Sequence, residues 1–421
     1  MDNGNNRIHD ESEANYFVRH QQNSHPNHVD VKIAKERKAL SEFRRILEDA
    51  ILGNSLFGKS TKDVCPIEAI KETEQLENIT LWGVPLLPSK GHQGTDIILM
   101  KFLKAKRFKV QKAFEMLRKT LKWRRDYNVD SILEEDFGPD IDNIMYLNCH
   151  DRQGHPLYFN VYAALNNIEL FKTENKDEKF FRLKVQFMEK GLKELSFKSG
   201  GVHSMVHITD LKNSPSSGKK ICLVDKKALK MIRENYPDVI HKNMVINVPF
   251  WCYVCHTMSS TFKTRRHRTK FVYATPSNAT KTLLNFIGPE HLPVEYGGLN
   301  RKDDEFFPED KASELIVKKN SVGIIQIPVH ETRVTMIWDL TVVGWDVSYR
   351  EEFIPDDEGS YRVLLHEGRE RNREESIRNS FYINEPGKIV ITIDNATFKK
   401  KRVFYRFKIK PTVPMYIYLN K

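Results

Sequence analysis

A change of texture near residue 300 constrains this chain more than any other feature. Upstream of it, strand-like runs at Asn143 to Asn148, Leu157 to Tyr162, a run ending at Asp210, Met244 to Val248 and Phe271 to Ala274 alternate with helix-length segments. Those segments lie at Asp177 to Phe197, around Lys226 to Asn235, and at Ser277 to Phe286. Alternation of this kind predicts a largely parallel or mixed sheet with helical cover. Beyond the acidic linker Arg301 to Lys311 the helical period vanishes. Seven or so short strand-like runs follow within about 110 residues, separated by turn residues such as Glu385-Pro386-Gly387, and predict a small β-sandwich.

The first part of the chain has its own pattern. Residues 1–30 are rich in Asn, Gln, His and acidic side chains and show no hydrophobic period, as expected of a disordered tail. From Val31 to Leu52 the apolar residues Leu40, Phe43, Leu47, Ala50 and Ile51 recur at helical spacing, which predicts an amphipathic helix. A helical block from Thr95 to Tyr127 follows, with Thr95 or Asp96 as N-cap and Val110, Ala113, Phe114, Leu117 and Leu121 as a buried stripe. The expected organisation is an α/β multidomain chain. Residues 1–74 form a tail with an amphipathic helix, 75–140 a helical lobe, 141–300 a sheet domain and 301–421 a β-sandwich.

Composition narrows the class. With 40% hydrophobic and 29% charged residues the bulk of the 421-residue chain can bury cores of ordinary size. No uncharged apolar run approaches the roughly 18 residues needed to cross a bilayer, and the polar start lacks the apolar centre of a secretory signal. Five cysteines, odd in number and sparse, fit a reducing cytosolic compartment. The net charge of +11 is uneven: residues 301–421 hold 21 Lys+Arg against 20 Asp+Glu, so the excess lies upstream. It is clustered at Lys101, Lys104, Lys106, Arg107, Lys109 and Lys112, at Arg118, Lys119, Lys122, Arg124 and Arg125, and at Lys263, Arg265, Arg266, Arg268 and Lys270. Such clusters favour phosphate head groups, an anionic membrane face or nucleic acid, or else form solvated helix faces.

Three motifs invite an enzyme or a metalloprotein. Gly53-Asn54-Ser55-Leu56-Phe57-Gly58-Lys59-Ser60 fits the P-loop letters, yet a P-loop follows a strand and opens a helix, whereas a helical period precedes Gly53. A glycine-capped helix end explains the same letters. Cys252-Tyr253-Val254-Cys255-His256 matches a haem-attachment pattern, but a second cysteine pair to complete a zinc site is missing, and packing in a core is expected. Asp136-Phe137-Gly138 stands without other kinase motifs and reads as a loop. No nucleophile, base and orienting residue can be assembled from spacing, so no catalytic residue, metal or cofactor is expected.

Val245 to Phe262 is a buried strand, a proline break and then a helix-length stretch apolar on nearly every side. A helix of that kind belongs in a core, against a membrane or over an apolar ligand. The basic run Lys263 to Lys270 follows directly, and an apolar wedge beside a cationic cluster suits an anionic bilayer. An interior helix followed by a solvated turn has the same composition.

Leu103-Lys104-Ala105-Lys106-Arg107-Phe108 with Lys122-Trp123-Arg124-Arg125, then Asp151 to Tyr158, Thr209-Asp210-Leu211-Lys212, Asn235-Tyr236-Pro237, Ile246-Asn247-Val248-Pro249 and Leu292 to Gly298 resemble, in order and spacing, the CRAL-TRIO lipid-transfer family. The tail, notably Val343 to Tyr349, Asp394-Asn395-Ala396-Thr397 and Tyr405-Arg406-Phe407, resembles a GOLD domain, and the two in this order resemble the patellins of plants.

The resemblance implies a helical lobe backing a mixed sheet that encloses an apolar pocket. A mobile helix would gate it, at the position of Phe250, Trp251, Tyr253, Val254, Met258 and Phe262. It implies a phosphoinositide head group held by Lys106 and Lys270, helped by Asp238, with His267 where relatives carry a hydroxyl residue. The positions that hold choline in relatives are Met205, His207 and Tyr158, of which only the tyrosine agrees. Lys263, Arg265, Arg266 and Arg268 would face the membrane.

The function implied is a non-enzymatic phosphoinositide and hydrophobic-ligand carrier, cytoplasmic and peripherally membrane-associated. It would act in membrane trafficking such as cell-plate formation and cytokinesis, with the GOLD domain free for a protein partner. A nucleotide-hydrolysing enzyme using Gly53 to Ser60 is one rival. A nucleic-acid binder using the basic middle is the other, though no zinc finger, helix-turn-helix or aromatic RNP motif supports it.

Overall fold

The computed structural model describes residues 26–58, 76–138, 141, 144–163, 176–214, 218–250, 270–302, 304–307, 309–370 and 376–411. Their contacts form two units: one holds the described residues up to Glu135 with Lys184–His203 and Leu223–Val239, the other holds Asp136–Leu183, Ser204–Cys222 and the chain from Ile240 onward.

The first unit is helical apart from the short strands β1 (Thr80–Leu81) and β2 (Val84–Pro85), which pair with each other. Helix α1 (Pro26–Leu52) packs against α2 (Gln93–Ala105) and α3 (Val110–Asp126), burying Ala39, Phe43, Leu47, Ala50 and Ile51 at three- and four-residue spacing. It starts five residues ahead of Val31, so Pro26 to Asp30 are helical rather than part of a tail. A helix end whose one aliphatic residue is Val29 leaves no periodic trace, although proline suits the first turn. Because α1 packs on α2 and α3, it belongs with the helical lobe. Its Arg44 Nη1 donates to both carboxylate oxygens of Asp96, at 2.8 and 2.9 Å.

Asp96 is therefore not the N-cap of α2. The cap is His92, whose Nδ1 accepts from the Gly94 N–H at 3.0 Å, while the Thr95 hydroxyl donates to the Pro85 carbonyl. Gly53 closes α1 with its N–H on the Asp49 carbonyl at 2.9 Å. A helix, not a strand, thus precedes the P-loop-like letters, and their Lys59 and Ser60 lie outside the described residues.

The second unit contains two β-layered parts. Strands β3 (Met145–His150), β4 (Pro156–Val161), β5 (Met205–Asp210), β6 (Ile240–Ile246) and β7 (Phe271–Tyr273) form a sheet in that order. The first pair is antiparallel and the others parallel, the mixed sheet that the alternation predicts. Helices α4 (Lys176–Lys193) and α5 (Gly218–Asn235) lie on the connections from β4 to β5 and from β5 to β6. One sheet face, with Leu157, Phe159, Val206, Ile208, Met244 and Ile246, packs on Leu283 and Leu284 of α6 (Ala279–Leu284) and on Leu292, Tyr296 and Leu299. Gly298 is required where this segment closes, because a Cβ there would stand 1.9 Å from the Leu292 carbonyl oxygen.

The sandwich has two antiparallel four-stranded sheets among the described residues. One has β8 (Ser313–Val317), β10 (Val334–Val342), β13 (Ile377–Ile383) and β15 (Lys401–Pro411), in the order β13-β10-β15-β8. The other has β9 (Ser321–Val329), β11 (Val347–Pro355), β12 (Val363–Glu370) and β14 (Gly387–Asn395), in the order β12-β11-β14-β9. Alternating residues such as Ile325, Ile327, Met336, Trp338, Tyr349, Ile389 and Ile391 fill the space between them. Strand β8 escapes sequence reading because only Val317 of its five residues is buried, as suits an edge strand. The preceding linker is not loose: Phe306 is buried, with the guanidinium groups of Arg378 and Arg406 at 5.2 and 4.3 Å from its ring.

Candidate functional site

The mixed sheet offers its second face to function. Strand alternation turns Tyr158 and Asn160 of β4, Met205 and His207 of β5, and Asn243 of β6 away from the packed face. Tyr158 stacks on His207 with centroids 4.8 Å apart and donates its hydroxyl to Met145 Sδ at 3.3 Å. The His207 ring in turn meets Asn243 Oδ1 through Nδ1 at 3.1 Å, a geometry in which Nδ1 carries the proton. Asn160 is 1% exposed, and neither its Nδ2 nor its Oδ1 has a hydrogen-bond partner among the described residues. Phe271 and Tyr273 of β7 stack at the sheet's other edge, and burial pushes the Tyr273 hydroxyl up from its ordinary value. The result is an aromatic floor, buried at β4 and β5 and half-exposed toward β7, with few but placed polar groups, the composition of small-molecule and lipid sites.

A cationic group stands at the start of β6. His155 stacks on His241 at 4.0 Å, and its Nδ1 lies 3.0 Å from Asp151 Oδ2. The Asp151 carboxyl is also the hub of the turn before β4, accepting the N–H groups of Gln153 and His155 at 2.8 Å each. Burial raises its pKa, but these hydrogen bonds outweigh it and hold the carboxyl below its usual range. His241 is held below the ordinary imidazole value, by burial first and then by the His155 and Lys242 charges. Lys242 is lowered by burial, and its ammonium sits 3.8 Å from the centre of the Phe286 ring. Lys270 donates to the Ile240 carbonyl at 3.2 Å.

In the helical unit, Lys106 is the half-buried C-cap of α2, with its N–H on the Phe102 and Leu103 carbonyls. Asp238 takes a left-handed backbone, φ 56°, and its carbonyl accepts from the buried ammonium of Lys101 at 2.9 Å. Lys101 also meets His203 Nδ1 at 3.1 Å. Burial, then the neighbouring Lys101 charge, keeps that imidazole below its usual value, so it accepts rather than donates. Arg124 is likewise spent internally, on Glu189 Oε1 at 2.6 Å, and Tyr236 donates to the same oxygen. These two members of the basic clusters build the lobe rather than serve a partner.

Of the residues expected at the site, Tyr158 and Lys270 fall in the sheet unit, and Lys106 and Asp238 in the helical unit. Phe250 is 75% exposed. His267, Trp251, Tyr253, Val254, Met258 and Phe262, the basic residues Lys263, Arg265, Arg266 and Arg268, and the Cys252 to His256 motif lie outside the described residues. Sequence reading missed Asn160, His155, His241 and Lys242. Asn160 lies two residues after Tyr158 on the same strand face, and His241 and Lys242 follow the Asn235-Tyr236-Pro237 motif closely.

Comparison with known proteins agrees with this geometry. Residues 39–119 match the family model for the CRAL/TRIO N-terminal domain, 142–298 the CRAL/TRIO domain, and 318–401 the patellin-1-like C-terminal GOLD domain. Patellin-4 of Arabidopsis thaliana is 46% identical over 350 residues, 82% of this chain and 64% of that protein. Patellin-3 of the same plant is 38% identical over 387 residues, 89% of this chain and 75% of that protein. The phosphatidylinositol transfer protein sfh-5 of Neurospora crassa is 25% identical over 258 residues, 54% of this chain and 69% of that protein. A helical lobe, a mixed sheet with one aromatic and polar face and an antiparallel sandwich, matched in this order, define a CRAL-TRIO protein that carries a GOLD domain. Within that class the chain belongs to the patellin family, and it spans about two thirds of the length of Patellin-4.

Proposed function

We propose that the protein is a non-enzymatic carrier that binds a phosphoinositide or other hydrophobic ligand over the second face of the mixed sheet. It would exchange or present that ligand at anionic membranes in membrane trafficking, cell-plate formation included. The observation that carries this reading is the sheet's asymmetry: one face packs on α6 and the segment from Leu292 to Leu299, while the other gathers Tyr158, His207, Asn160 and Asn243 into an aromatic and polar surface. Acyl chains gain about 0.8 kcal/mol per buried methylene, enough for an apolar floor to retain a lipid, while cations select its head group. A relative named for phosphatidylinositol transfer supports the lipid class.

Lys106, Asp238, His267 and Lys270 are the proposed head-group residues, Tyr158 a floor contact, and the stretch from Phe250 to Phe262 the gate. Lys263, Arg265, Arg266 and Arg268 are its proposed membrane-facing neighbours. The exposure of Phe250, which opens that stretch, suits a residue that meets the bilayer. No helix among the described residues is long and apolar enough to cross a membrane, so the association would be peripheral.

Vesicle-to-vesicle transfer of phosphatidylinositol 4-phosphate tests the assignment. Lys106→Ala and Lys270→Ala are each expected to slow it at least about tenfold, since a charge-assisted hydrogen bond contributes roughly 1.5–3 kcal/mol. Near-normal transfer by a folded double variant would remove both lysines from the site.

A further inference from the structure

Two turns of the sandwich meet at one of its ends. Lys318, Lys319 and Asn320 join β8 to β9, and Ala396 to Lys400 join β14 to β15. Asn395, fully buried, stitches them together: its Nδ2 donates to the carbonyls of Lys318 and Lys399, each at 2.8 Å. Its Oδ1 accepts from the Thr397 N–H at 3.1 Å and the Thr397 hydroxyl at 2.6 Å. The Asn320 N–H donates to the Thr397 carbonyl at 3.2 Å, and the Ser321 hydroxyl closes the first turn on the Lys318 carbonyl at 2.8 Å.

This frame displays a definite set of side chains. Lys318, Lys319, Lys399 and Lys400 are exposed, and between them in sequence Phe398 is 87% exposed. Lys401 is not part of the set, because it is buried and donates to the Gly344 carbonyl at 2.8 Å. Val322 and Ile324, each 54% exposed, continue the apolar surface along the outer side of β9, opposite the exposed Asp394 and the half-buried Thr392 of β14.

A lone exposed phenylalanine is ordinary in a soluble protein. One carried, with four exposed lysines, on two cross-bonded turns is a different matter. The four ammonium groups repel one another in water, and an anionic surface relieves that repulsion. A bilayer fits better than an acidic protein, because both turns carry exposed lysines, one of them also carries an aromatic side chain exposed over most of its surface, and a flat anionic interface accepts such a ring at the head-group boundary.

We propose that the Lys318–Asn320 and Ala396–Lys400 turns form a contact site for an anionic lipid bilayer, with Phe398 entering the interface and the four lysines lying over lipid phosphates and carboxylates. The site is separate from the mixed sheet. The proposal rests on the reading of the protein as one that acts at membranes, but not on what its pocket holds.

Flotation of the full chain with vesicles of phosphatidylcholine alone, and of phosphatidylcholine with phosphatidylserine, tests it. Wild type should float with the serine lipid only, and less as salt rises. Lys318→Glu/Lys319→Glu and Lys399→Glu/Lys400→Glu should each weaken flotation at least about tenfold, and Phe398→Ser a few-fold. Arg333→Glu, in the exposed turn at the opposite end of β9, should change nothing. Lys399→Gln/Lys400→Gln serves if charge reversal lowers the melting temperature. Lipid retained by each purified variant should equal wild type, which separates this contact from the pocket. Wild-type flotation of all the tip variants, or equal flotation of wild type with both vesicle types, would overturn the proposal. So would variants that float normally but lose binding to polyglutamate, which would assign the tip to an acidic protein.

Discussion

Arg406, on the last strand of the sandwich, donates through Nη2 to the carbonyl of Leu299, at the end of the mixed-sheet domain, at 2.6 Å. The same guanidinium donates to Asp304 Oδ2 at 2.6 Å and, through Nε, to the buried Asp339 at 2.9 Å. Arg378 covers both oxygens of Asp339 at 2.6 Å each. Nearby, the Thr341 hydroxyl donates to the Gly297 carbonyl at 3.0 Å, and Phe404 packs into the hydrophobic cluster of the mixed sheet. The sandwich and the mixed sheet therefore share a core rather than a flexible tether.

Arg406→Met should destabilise the protein by roughly 3–5 kcal/mol, because removing one partner of a buried ionic network leaves carboxylate charge undercompensated. Urea denaturation followed by tryptophan fluorescence measures this. A loss below about 1 kcal/mol would mean that the network tolerates solvent and that the junction is held by packing alone.

Asp304 makes acid stability a readout of the same junction. Burial raises its pKa, but hydrogen bonds from Arg378 and the Phe306 N–H, with the Arg406 charge, outweigh burial and hold it below the ordinary carboxylate value. With the folded value lower than the unfolded one, the unfolded chain binds more protons through that window. The contribution is complete above about pH 4 and disappears as pH falls through the folded value. Asp304→Asn should therefore be less stable at neutral pH and should lose part of the acid-side slope. An unchanged slope between wild type and variant would contradict the assignment.

Asn160 gives a prediction of opposite sign. Both amide atoms are buried without partners, a desolvation cost of about 1–3 kcal/mol. Asn160→Leu, which keeps the branch at Cγ and removes both polar atoms, should stabilise the delipidated protein in urea. Destabilisation would show that the amide is satisfied in solution.

Much of this architecture was legible in the sequence because hydrophobic period reports packing directly. The strands from Leu157 and from Phe271 stand where alternation and turn residues put them, and the strand-rich tail is a sandwich, whereas β6 begins at Ile240 and not at Met244 because its first half, with His241, Lys242 and Asn243, carries no apolar alternation. What stayed hidden was hidden for physical reasons. Strand β8 lies at an edge and buries almost nothing, and the start of α1 carries no apolar stripe. Lys101 and Arg124 look like members of solvated basic clusters because charge counts cannot show that a carbonyl or carboxylate waits for them. Asp304 and Phe306 look like linker because their partners, Arg378 and Arg406, come some 70 to 100 residues later in the chain. At the site, Tyr158 was reachable through motif resemblance, whereas Asn160, His241 and Lys242 acquire meaning only once β4 and β6 are placed in one sheet.

The central claim, that the aromatic second face of the mixed sheet holds a lipid selected by its head group, is tested most directly by mass spectrometry of lipid extracted from the full chain. The protein would be purified under native conditions from a eukaryotic host. The account predicts about one phospholipid per protein, with phosphatidylinositol species enriched over their share of the host membranes. Protein that carries no lipid, and takes up none from phosphatidylinositol vesicles, would contradict it.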